Sequence, residues 1–198
     1  MHHIVPPFVY LASRSPRRVE LLKQIGIDCE ILPADIDETA LPNESPTGYV
    51  VRLAKQKAQA CLSKLNNRQP LVPVLAADTT VALGGLILGK PLDNQDAKAM
   101  LGQLSGSQHE VHTAVAIAFA DTIKVELSTT VVEMMMLTEA QIEAYIATGE
   151  HRDKAGSYGI QGMAGAWIKR IEGSYSGVMG LPIYETSVLL RKHGIGKL

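Results

Sequence analysis

The stretch that most constrains the fold spans residues 8–25 and reads FVYLASRSPRRVELLKQI. Its first part, Phe8–Ala12, is an uninterrupted apolar run of the kind that forms a buried strand. Pro16 favours the first position of a helix, because its missing N–H needs no partner there, and Ser15 suits the N-cap. The stretch therefore predicts a strand, a tight turn and a helix, which together are a building unit of α/β folds.

The N-terminus of this helix carries positive side chains, although negative ones would be more favourable there. Arg14, Arg17 and Arg18 lie at the N-terminus, where the helix macrodipole disfavours cations by roughly 0.3–1 kcal/mol each. A local rule broken in this way indicates a function, and free backbone N–H groups with several cations predict an anion-binding site. The alternative is that the arginines point into solvent or pair with Glu20.

Composition restricts the classes of function. The chain has 198 residues, of which 46% are hydrophobic and 20% charged, as in an ordinary globular protein. We therefore expect a single domain over residues 1–198. The net charge of −1 disfavours broad nucleic-acid binding, which usually shows a basic excess, so any phosphate site must be local.

Cysteine spacing and hydropathy bear on location. Cys29 and Cys61 form neither a CxxC motif nor metal-ligand spacing, which favours reduced core residues of a cytosolic protein. Residues 1–8 lack the positive segment and apolar run of a secretory signal, and no apolar run approaches the ~20 residues of a membrane span. We expect a soluble, cytoplasmic protein that contacts no membrane.

Two features beyond the first helix suggest charged chemistry. The loop Pro33–Glu38 carries three carboxylates and is either a solvated acidic turn or a divalent-metal site beside bound phosphates. The long helix that begins at Pro46 has a regular apolar stripe, which Lys57 interrupts. Lysines in such positions usually extend to water, and the alternative is that this ammonium binds a buried anion.

A carboxylate follows the next apolar run, Leu71–Ala77. Asp78 at the carboxyl end of a buried strand would lie where open α/β sheets place their ligands, although it could also cap the next segment. A hairpin with a Gly-Gly turn is predicted after it and leads to Lys90 in a short loop. Farther along the chain, residues 149–180 hold eight of the seventeen glycines, which suits a loop whose backbone approaches a ligand closely.

Alternation of strands and helices with hairpins predicts an α/β fold with a mixed β-sheet and flanking helices. The unusual polar residues are five cations, two carboxylates and two neutral groups: Arg17, Arg18, Lys57, Lys90, Lys154, Glu38, Asp78, Ser13 and Gln161. A nucleoside triphosphate with one or two divalent metal ions would satisfy this set. The residues alone therefore predict a phosphoester or phosphoanhydride ligand.

The sequence resembles the Maf family of nucleotide pyrophosphatases over nearly its whole length. The matching segments are LASRSPRRVELL (11–22), DIDET (35–39), ESP with VVRLAKQKA (44–58), AADTTV (76–81), LGKP (88–91), LSGSQHEVHTAV (104–115), GEHRDKAGSYGIQG (149–162) and GSYSGVMGLPIYET (173–186). The form DKAGSYGIQG is similar to the subgroup that hydrolyses dTTP and UTP.

The resemblance implies a role for each matching residue. Asp78 corresponds to the catalytic proton acceptor, and Arg17, Thr79 and Gln161 to positions that set base specificity. Other binding or catalytic positions correspond to Ser13, Arg18, Glu38, Lys57, Lys90 and Lys154, with Glu38 and Asp78 as candidate metal ligands. The family fold is a mixed sheet in two lobes around a central cleft, similar to that of inosine triphosphatases, often as a homodimer and with divalent Mg, Mn or Co.

The expected reaction is hydrolysis of dTTP and UTP, and of related modified pyrimidine nucleotides, to the monophosphate and diphosphate. It would serve cell-division arrest or nucleotide-pool sanitation. The alternative is a regulator of septum formation that binds nucleotide or nucleic acid without turnover. The near-neutral charge speaks against nucleic-acid binding, and two carboxylates beside a phosphate site favour turnover.

Overall fold

The computed structural model describes residues 8–65 and 72–195. Residues 1–7, which bear on the prediction that no secretory signal is present, and Leu71 of the predicted strand lie outside these ranges. The described strands are β1 (Phe8–Leu11), β2 (Asp28–Ile31), β3 (Val74–Leu83), β4 (Leu86–Leu88), β5 (Gln108–Phe119), β6 (Thr122–Met134) and β7 (Ile168–Glu172). The described α-helices are α1 (Pro16–Gln24), α2 (Pro46–Lys64), α3 (Asn94–Leu104), α4 (Glu139–Thr148), α5 (Tyr175–Met179) and α6 (Ile183–Lys192).

The strands form one mixed sheet in the order β2-β1-β3-β5-β6-β7, with β4 paired to β3. Strand β1 is parallel to β2 and to β3, and the other pairs are antiparallel. The predicted hairpin is present, and Gly84 and Gly85 adopt φ angles of +56° and +86°, as a tight antiparallel turn requires. The mixed α/β fold predicted from the sequence is confirmed.

Strand β3 is longer than the sequence predicted. The predicted run ended at Ala77, whereas β3 continues to Leu83, so that Asp78 lies within the strand and does not follow it. The strand continues because β5 pairs with it from Val74 to Ala82, and two β-branched threonines follow Asp78. Strand β1 pairs with β3 only as far as Leu75, so Asp78 lies beyond the carboxyl end of β1, where α/β sheets bind ligands.

Alternate residues of β3 and β5 pack on opposite sides of the sheet. Leu75 and Ala77 belong to an apolar cluster with residues of α1 and α6. Val74 and Ala76 belong to a second cluster, with residues of α2. The same alternation places the side chain of Asp78 on the α2 side and that of Thr79 on the α1 side.

A third apolar cluster lies at the far end of the sheet. It combines residues of β4, β6, α3 and α4 with the segment from Tyr158 to Trp167, in which Tyr145 and Trp167 meet edge to face with ring centroids 4.9 Å apart. This cluster forms a second lobe, and the cleft described below lies between it and the lobe built on α1 and α2. The two-lobed arrangement implied by the resemblance is therefore present.

Side-chain caps begin α2, α3 and α4, whereas α1 has none. Ser45 and Asp93 accept the backbone N–H of Gly48 and Asp96, and Thr138 with Gln141 forms a capping box. Within the described residues, the Ser15 side chain makes no such bond, and its own N–H donates to Ser13 Oγ over 3.2 Å. The first turn of α1 therefore keeps backbone donors that its N-cap side chain does not satisfy.

None of the helices in residues 8–65 and 72–195 has the length and apolar character needed to cross a membrane.

Candidate functional site

A cleft of about 980 Å³ opens beyond the carboxyl end of β1. One wall is the turn between β1 and α1, the floor is β3, and the opposite wall is the glycine-rich segment that follows α4. Every site residue named from the sequence lines this cleft: Ser13, Arg17, Arg18, Glu38, Lys57, Asp78, Thr79, Lys90, Lys154 and Gln161. The fold thus brings together residues that are up to 148 positions apart, from Ser13 to Gln161.

Lys57 contacts the carboxylates of both Asp78 and Glu38. Its Nζ lies 2.6 Å from Asp78 Oδ1 and 2.7 Å from Glu38 Oε1. Lys57 is 9% exposed, so its side chain does not extend to water, and a buried anion that it contacts is the carboxylate of Asp78. Helix α2 places it there because Lys57 follows Leu53 by one helical turn on the buried face.

The environment separates the two carboxylates. Burial raises the pKa of Asp78, although the charge and hydrogen bond of Lys57 oppose this effect. Partial burial also opposes ionisation of Glu38, but there the hydrogen bond and charge of Lys57 prevail and hold the pKa below its usual value. Asp78 is therefore the more basic carboxylate of the pair, as a proton acceptor requires.

One carboxylate oxygen of Asp78 is able to accept a further hydrogen bond or bind a cation. Its Oδ2 atom is buried, and no hydrogen-bond partner for it is found among the described residues. Carboxylate oxygens are the ligands that hard divalent cations prefer, and Mg²⁺ typically takes one or two carboxylates together with phosphate oxygens and water. Asp78 and Glu38 fit such an ion.

The described residues do not form a metal site from protein ligands alone. Within the described residues, no group of three or more His, Cys, Asp or Glu is placed to hold a metal ion. His109 and His112 form hydrogen bonds with Tyr158 and Thr129 respectively. A metal at Asp78 and Glu38 therefore needs oxygens from a bound ligand or from water to complete its coordination.

Arg18 is held by three neutral acceptors on three segments. Its Nε donates to Gly180 O over 2.8 Å, Nη1 to Ser13 Oγ over 3.1 Å and Nη2 to Thr79 Oγ1 over 3.3 Å. Burial lowers the pKa of Arg18, with the charge of Asp78 opposing, but an arginine stays protonated at any physiological pH. Arg18 is therefore a cation in a fixed position. Because its three hydrogen-bond acceptors are uncharged, these bonds do not neutralise its positive charge.

The other arginines of this turn differ in position. Arg14 pairs with Asp35 over 3.0 Å at the surface, where both side chains are largely exposed and the pair contributes little. Arg17 is half-buried and lines the cleft, and no ion pair between Arg17 and Glu20 is found in the described part of the chain. The turn therefore supplies two cations to the cleft, Arg17 and Arg18.

Close packing fixes the glycine-rich wall. Gly156 has φ +67°, its N–H donates to Gly89 O over 3.1 Å, and a Cβ there would lie 2.8 Å from the Val81 side chain. This contact brings the wall next to Lys90. At Gly159 a Cβ would lie 2.7 Å from Cε of Lys154, so a larger residue there would displace the end of the lysine stem.

Lys154 is a cation under electrostatic strain. Burial lowers its pKa, and the nearby charge of Arg17 lowers it further. Its ammonium donates to the carbonyl oxygen of Glu150, which fixes its place in the wall. Cations that are crowded together in a partly desolvated cleft stabilise a bound polyanion, because the anion relieves their mutual repulsion.

Some residues of this region were not singled out from the sequence. Tyr49 lines the cleft, and its hydroxyl donates to the carbonyl oxygen of Glu38 over 2.9 Å, which anchors the acidic loop to α2. Burial raises its pKa to about 12. Thr113 lies under Thr79 at an oxygen–oxygen distance of 3.0 Å. The one sequence feature that could have indicated Thr113 was the presence of a threonine within the apolar run of β5.

Comparisons with known proteins agree on one family. The family model described as "Maf-like protein" matches residues 8–193. The curated "dTTP/UTP pyrophosphatase" of Methylobacillus flagellatus is 57% identical over 187 residues, which cover 94% of this chain and 93% of that protein. The protein of the same name from Nitrosomonas europaea is 54% identical over 196 residues, covering 94% and 95%.

Among solved structures, the Staphylococcus aureus Ham1 protein aligns with 64% of this chain and 71% of its own, at 17% identity and a TM-score of 0.47.

Proposed function

This chain belongs to the Maf family, and from that premise we propose that it is a nucleoside triphosphate pyrophosphatase that hydrolyses dTTP and UTP. The observation that carries the proposal is the buried carboxylate of Asp78, which Lys57 holds beside Glu38 in a cleft lined with cations. This arrangement provides a base, a place for a hard cation and a counter-charge for a triphosphate. Its curated relatives from M. flagellatus and N. europaea carry the name dTTP/UTP pyrophosphatase.

The proposed reaction breaks the bond between the α-phosphorus and the oxygen that bridges it to the β-phosphorus. A water oxygen bonds to the α-phosphorus, and Asp78 accepts the proton that this water loses. The bridging oxygen leaves with the bond's electron pair as part of diphosphate, and the nucleoside monophosphate remains. The raised pKa of Asp78 suits this step, because an ordinary aspartate is a weak base toward water.

The cations have the complementary task of stabilising the phosphates. Arg17, Arg18, Lys90 and Lys154 line the cleft, and fixed positive charges stabilise the negative charge that grows on the leaving diphosphate. Ser13 Oγ accepts bonds from Ser15 N–H and Arg18 Nη1, and its own proton stays available to a phosphate oxygen. Lys57 orients Asp78 and adds its charge to the phosphate site.

Asp78 and Glu38 would hold a divalent cation, with Mg, Mn and Co as the candidates. When bound, such an ion supplies a lowered pKa to its water ligand and additional charge neutralisation. The orphaned Oδ2 atom of Asp78 supports this assignment. Base selection is assigned to Arg17, Thr79 and Gln161, which lie at the two walls and the floor.

The test uses purified protein with each metal ion and a panel of canonical and modified nucleoside triphosphates. We expect dTTP and UTP to give equimolar monophosphate and diphosphate, and a chelator to abolish turnover in a way that added metal reverses. Release of orthophosphate, or no turnover of any nucleotide, would contradict the proposal. Retention on DNA at physiological salt without hydrolysis would favour the regulator alternative.

Further predictions from the sequence accompany this proposal. They are a single domain over residues 1–198, a cytoplasmic location, a homodimer and roles in nucleotide-pool sanitation or cell-division arrest. Light scattering of the purified chain would measure the dimer directly.

A further inference from the structure

A chain of hydroxyl groups runs from the cleft into the interior of the protein. Arg18 Nη2 donates to Thr79 Oγ1, which lies 3.0 Å from Thr113 Oγ1, and Thr113 donates to the carbonyl oxygen of Gly177 over 2.8 Å. Thr113 is fully buried and is not among the described residues that line the cleft. The chain thus links a cleft residue to α5 through a residue that no ligand in the cleft would touch.

The direction of every bond in this chain follows from its two ends. A carbonyl oxygen only accepts, so the single hydroxyl proton of Thr113 is directed to Gly177. Thr113 Oγ1 must then accept a hydrogen bond in its contact with Thr79. The Thr79 hydroxyl therefore donates its proton to Thr113. A guanidinium only donates, so Thr79 accepts from Arg18. The remaining hydrogen-bonding capacity of Thr79 is that of an acceptor.

The positions of the two threonines are fixed by the fold. Thr79 and Thr113 are direct partners in the antiparallel pairing of β3 and β5, so neither can move away without breaking the sheet. The carbonyl oxygen of Gly177 also accepts the N–H of Gly180 over 2.9 Å at the end of α5. Since Gly180 O receives Arg18 Nε, the same short helix end anchors both ends of the chain.

We propose that Thr113 is a positioning residue that makes the cleft selective for bases with an imide N–H, by holding the Thr79 hydroxyl as an acceptor. The proposal rests on the proposed function and deepens it. Uracil and thymine carry a hydrogen on N3, which can donate to such an acceptor. Cytosine has an unprotonated N3, and two acceptors that face each other repel and leave both unpaired.

Thr79 thus has a narrower role than the base-specifying position that the sequence resemblance implied. A free threonine hydroxyl both donates and accepts, and would pair with N3 of uracil and of cytosine alike. Because Thr113 accepts the Thr79 proton, the Thr79 hydroxyl can no longer donate a hydrogen bond to N3 of cytosine. The discrimination therefore comes from a buried side chain behind the one that contacts the base.

The main experiment compares Thr113→Val with Thr113→Ser. Valine keeps the shape but frees the Thr79 proton, so we expect the ratio of kcat/KM for UTP to that for CTP to fall about tenfold, the scale of one neutral hydrogen bond. Serine keeps the acceptor and should preserve the ratio. In a Thr79→Val background, Thr113→Val should not change the ratio further, because its effect passes through Thr79.

A purely structural role would give a different pattern. Thr113→Val would then lower the melting temperature and reduce kcat/KM for UTP and CTP by the same factor, and an unchanged ratio in a folded variant overturns the proposal. The carbonyl of Gly177 keeps its bond from Gly180 in this variant, so its burial leaves no orphaned acceptor.

A second measurement needs no variant. Wild-type protein should bind and hydrolyse 5-methyl-UTP, which retains the N3 hydrogen, and should lose about tenfold or more in kcat/KM with N3-methyl-UTP. N3-methyl-UTP and CTP turned over as efficiently as UTP would overturn the inference while leaving the proposed function intact. No turnover of UTP and dTTP would instead refute the proposed function.

Discussion

Lys57 Nζ and Asp78 Oδ1 lie 2.6 Å apart at the floor of the cleft, and both residues are buried. Helix α2 contributes the ammonium and strand β3 the carboxylate. The pair holds one oxygen of Asp78 in place and leaves the other without a partner in the described residues. A base that is oriented on one side and free on the other is suited to accept a proton from water.

Asp78→Asn should abolish most of the turnover without weakening the fold. We expect kcat to fall about 100-fold or more, because a positioned general base contributes on the order of 10²–10⁴. Burial raises the pKa of Asp78, so the native state binds this proton more tightly than the unfolded chain, and the ionised group costs stability at neutral pH. The melting temperature should therefore be unchanged or higher.

Asp121→Asn at an exposed turn is the control for the loss of one negative charge. It should leave both kcat and the melting temperature unchanged. An Asp78→Asn variant with nearly wild-type turnover would remove Asp78 from the role of base.

Lys57→Met should shift the acidic limb of the pH profile of kcat. Without the ammonium, the buried carboxylate of Asp78 loses a stabilising charge and a hydrogen bond, so its pKa rises further and protonation stops catalysis at a higher pH. The free energy of unfolding should fall by about 3–5 kcal/mol at neutral pH, since an unpaired buried charge remains. Both are measured by kinetics and denaturant unfolding across pH.

Two comparisons sharpen this test. Lys55→Met changes an exposed lysine of the same helix and should affect neither quantity. Adding Asp78→Asn to Lys57→Met should restore the lost stability, because the unpaired charge is gone. If the acidic limb stays in place in Lys57→Met, the ion pair does not tune the base.

Gly159→Ala should weaken nucleotide binding. The added Cβ would lie 2.7 Å from Cε of Lys154, so the lysine stem must move and its ammonium leaves the wall of the cleft. We expect KM for dTTP to rise about tenfold, on the scale of one charge-assisted hydrogen bond. The measurement is a steady-state titration with dTTP.

Gly102→Ala is the matched control. Gly102 lies in α3, and among the described residues nothing beyond its chain neighbours and the adjacent helix backbone comes within 4 Å of the position that an added Cβ would take. Alanine in a helix is more stable than glycine by about 0.5–1 kcal/mol, so this variant should unfold at a higher temperature with KM unchanged. Equal KM values for both variants would show that the path of Lys154 does not matter for binding.

His109→Gln should reduce the sensitivity of the fold to acid. Burial lowers the pKa of His109 to about 4, against about 6.5 in an unfolded chain. The unfolded state therefore binds more protons between these values, and stability falls as the pH decreases from about 6.5 to 4, by up to about 3 kcal/mol for this group. Glutamine keeps a polar group for the Tyr158 hydroxyl, which His109 Nε2 meets over 2.7 Å.

Chemical unfolding at several pH values between about 7 and 4 measures this effect. The wild type should lose stability more steeply than the variant over that interval. Parallel losses in the two proteins would assign the acid sensitivity to other groups.

Local chemistry explains why much of the fold could be predicted from the sequence. The capping box at Thr138, the Gly84-Gly85 hairpin and the proline starts of α1 and α2 each depend on a few neighbouring residues. The extent of β3 could not be predicted in this way. Asp78 and the threonines after it suggested a strand end, and pairing with β5 overrode that preference.

The site was predictable as a set of residues and less so as a set of contacts. The unfavourable positive charge at α1 predicted an anion site, and the interruption of the apolar stripe by Lys57 left a buried anion as one of two alternatives. That the anion beside Lys57 includes Asp78 depends on two segments 21 residues apart, and no local pattern encodes that distance. Thr113 was not singled out from the sequence for a related reason, since its hydroxyl contacts Thr79 and the carbonyl oxygen of Gly177, both distant in sequence.

The alternation of β3 has a consequence for how such an enzyme can change. Asp78 faces α2 and Thr79 faces α1, so two neighbours in sequence line the same cleft from opposite faces of one strand. On the proposed function, we expect substitutions on the Thr79 side to change the choice of base while water activation by Asp78 is preserved.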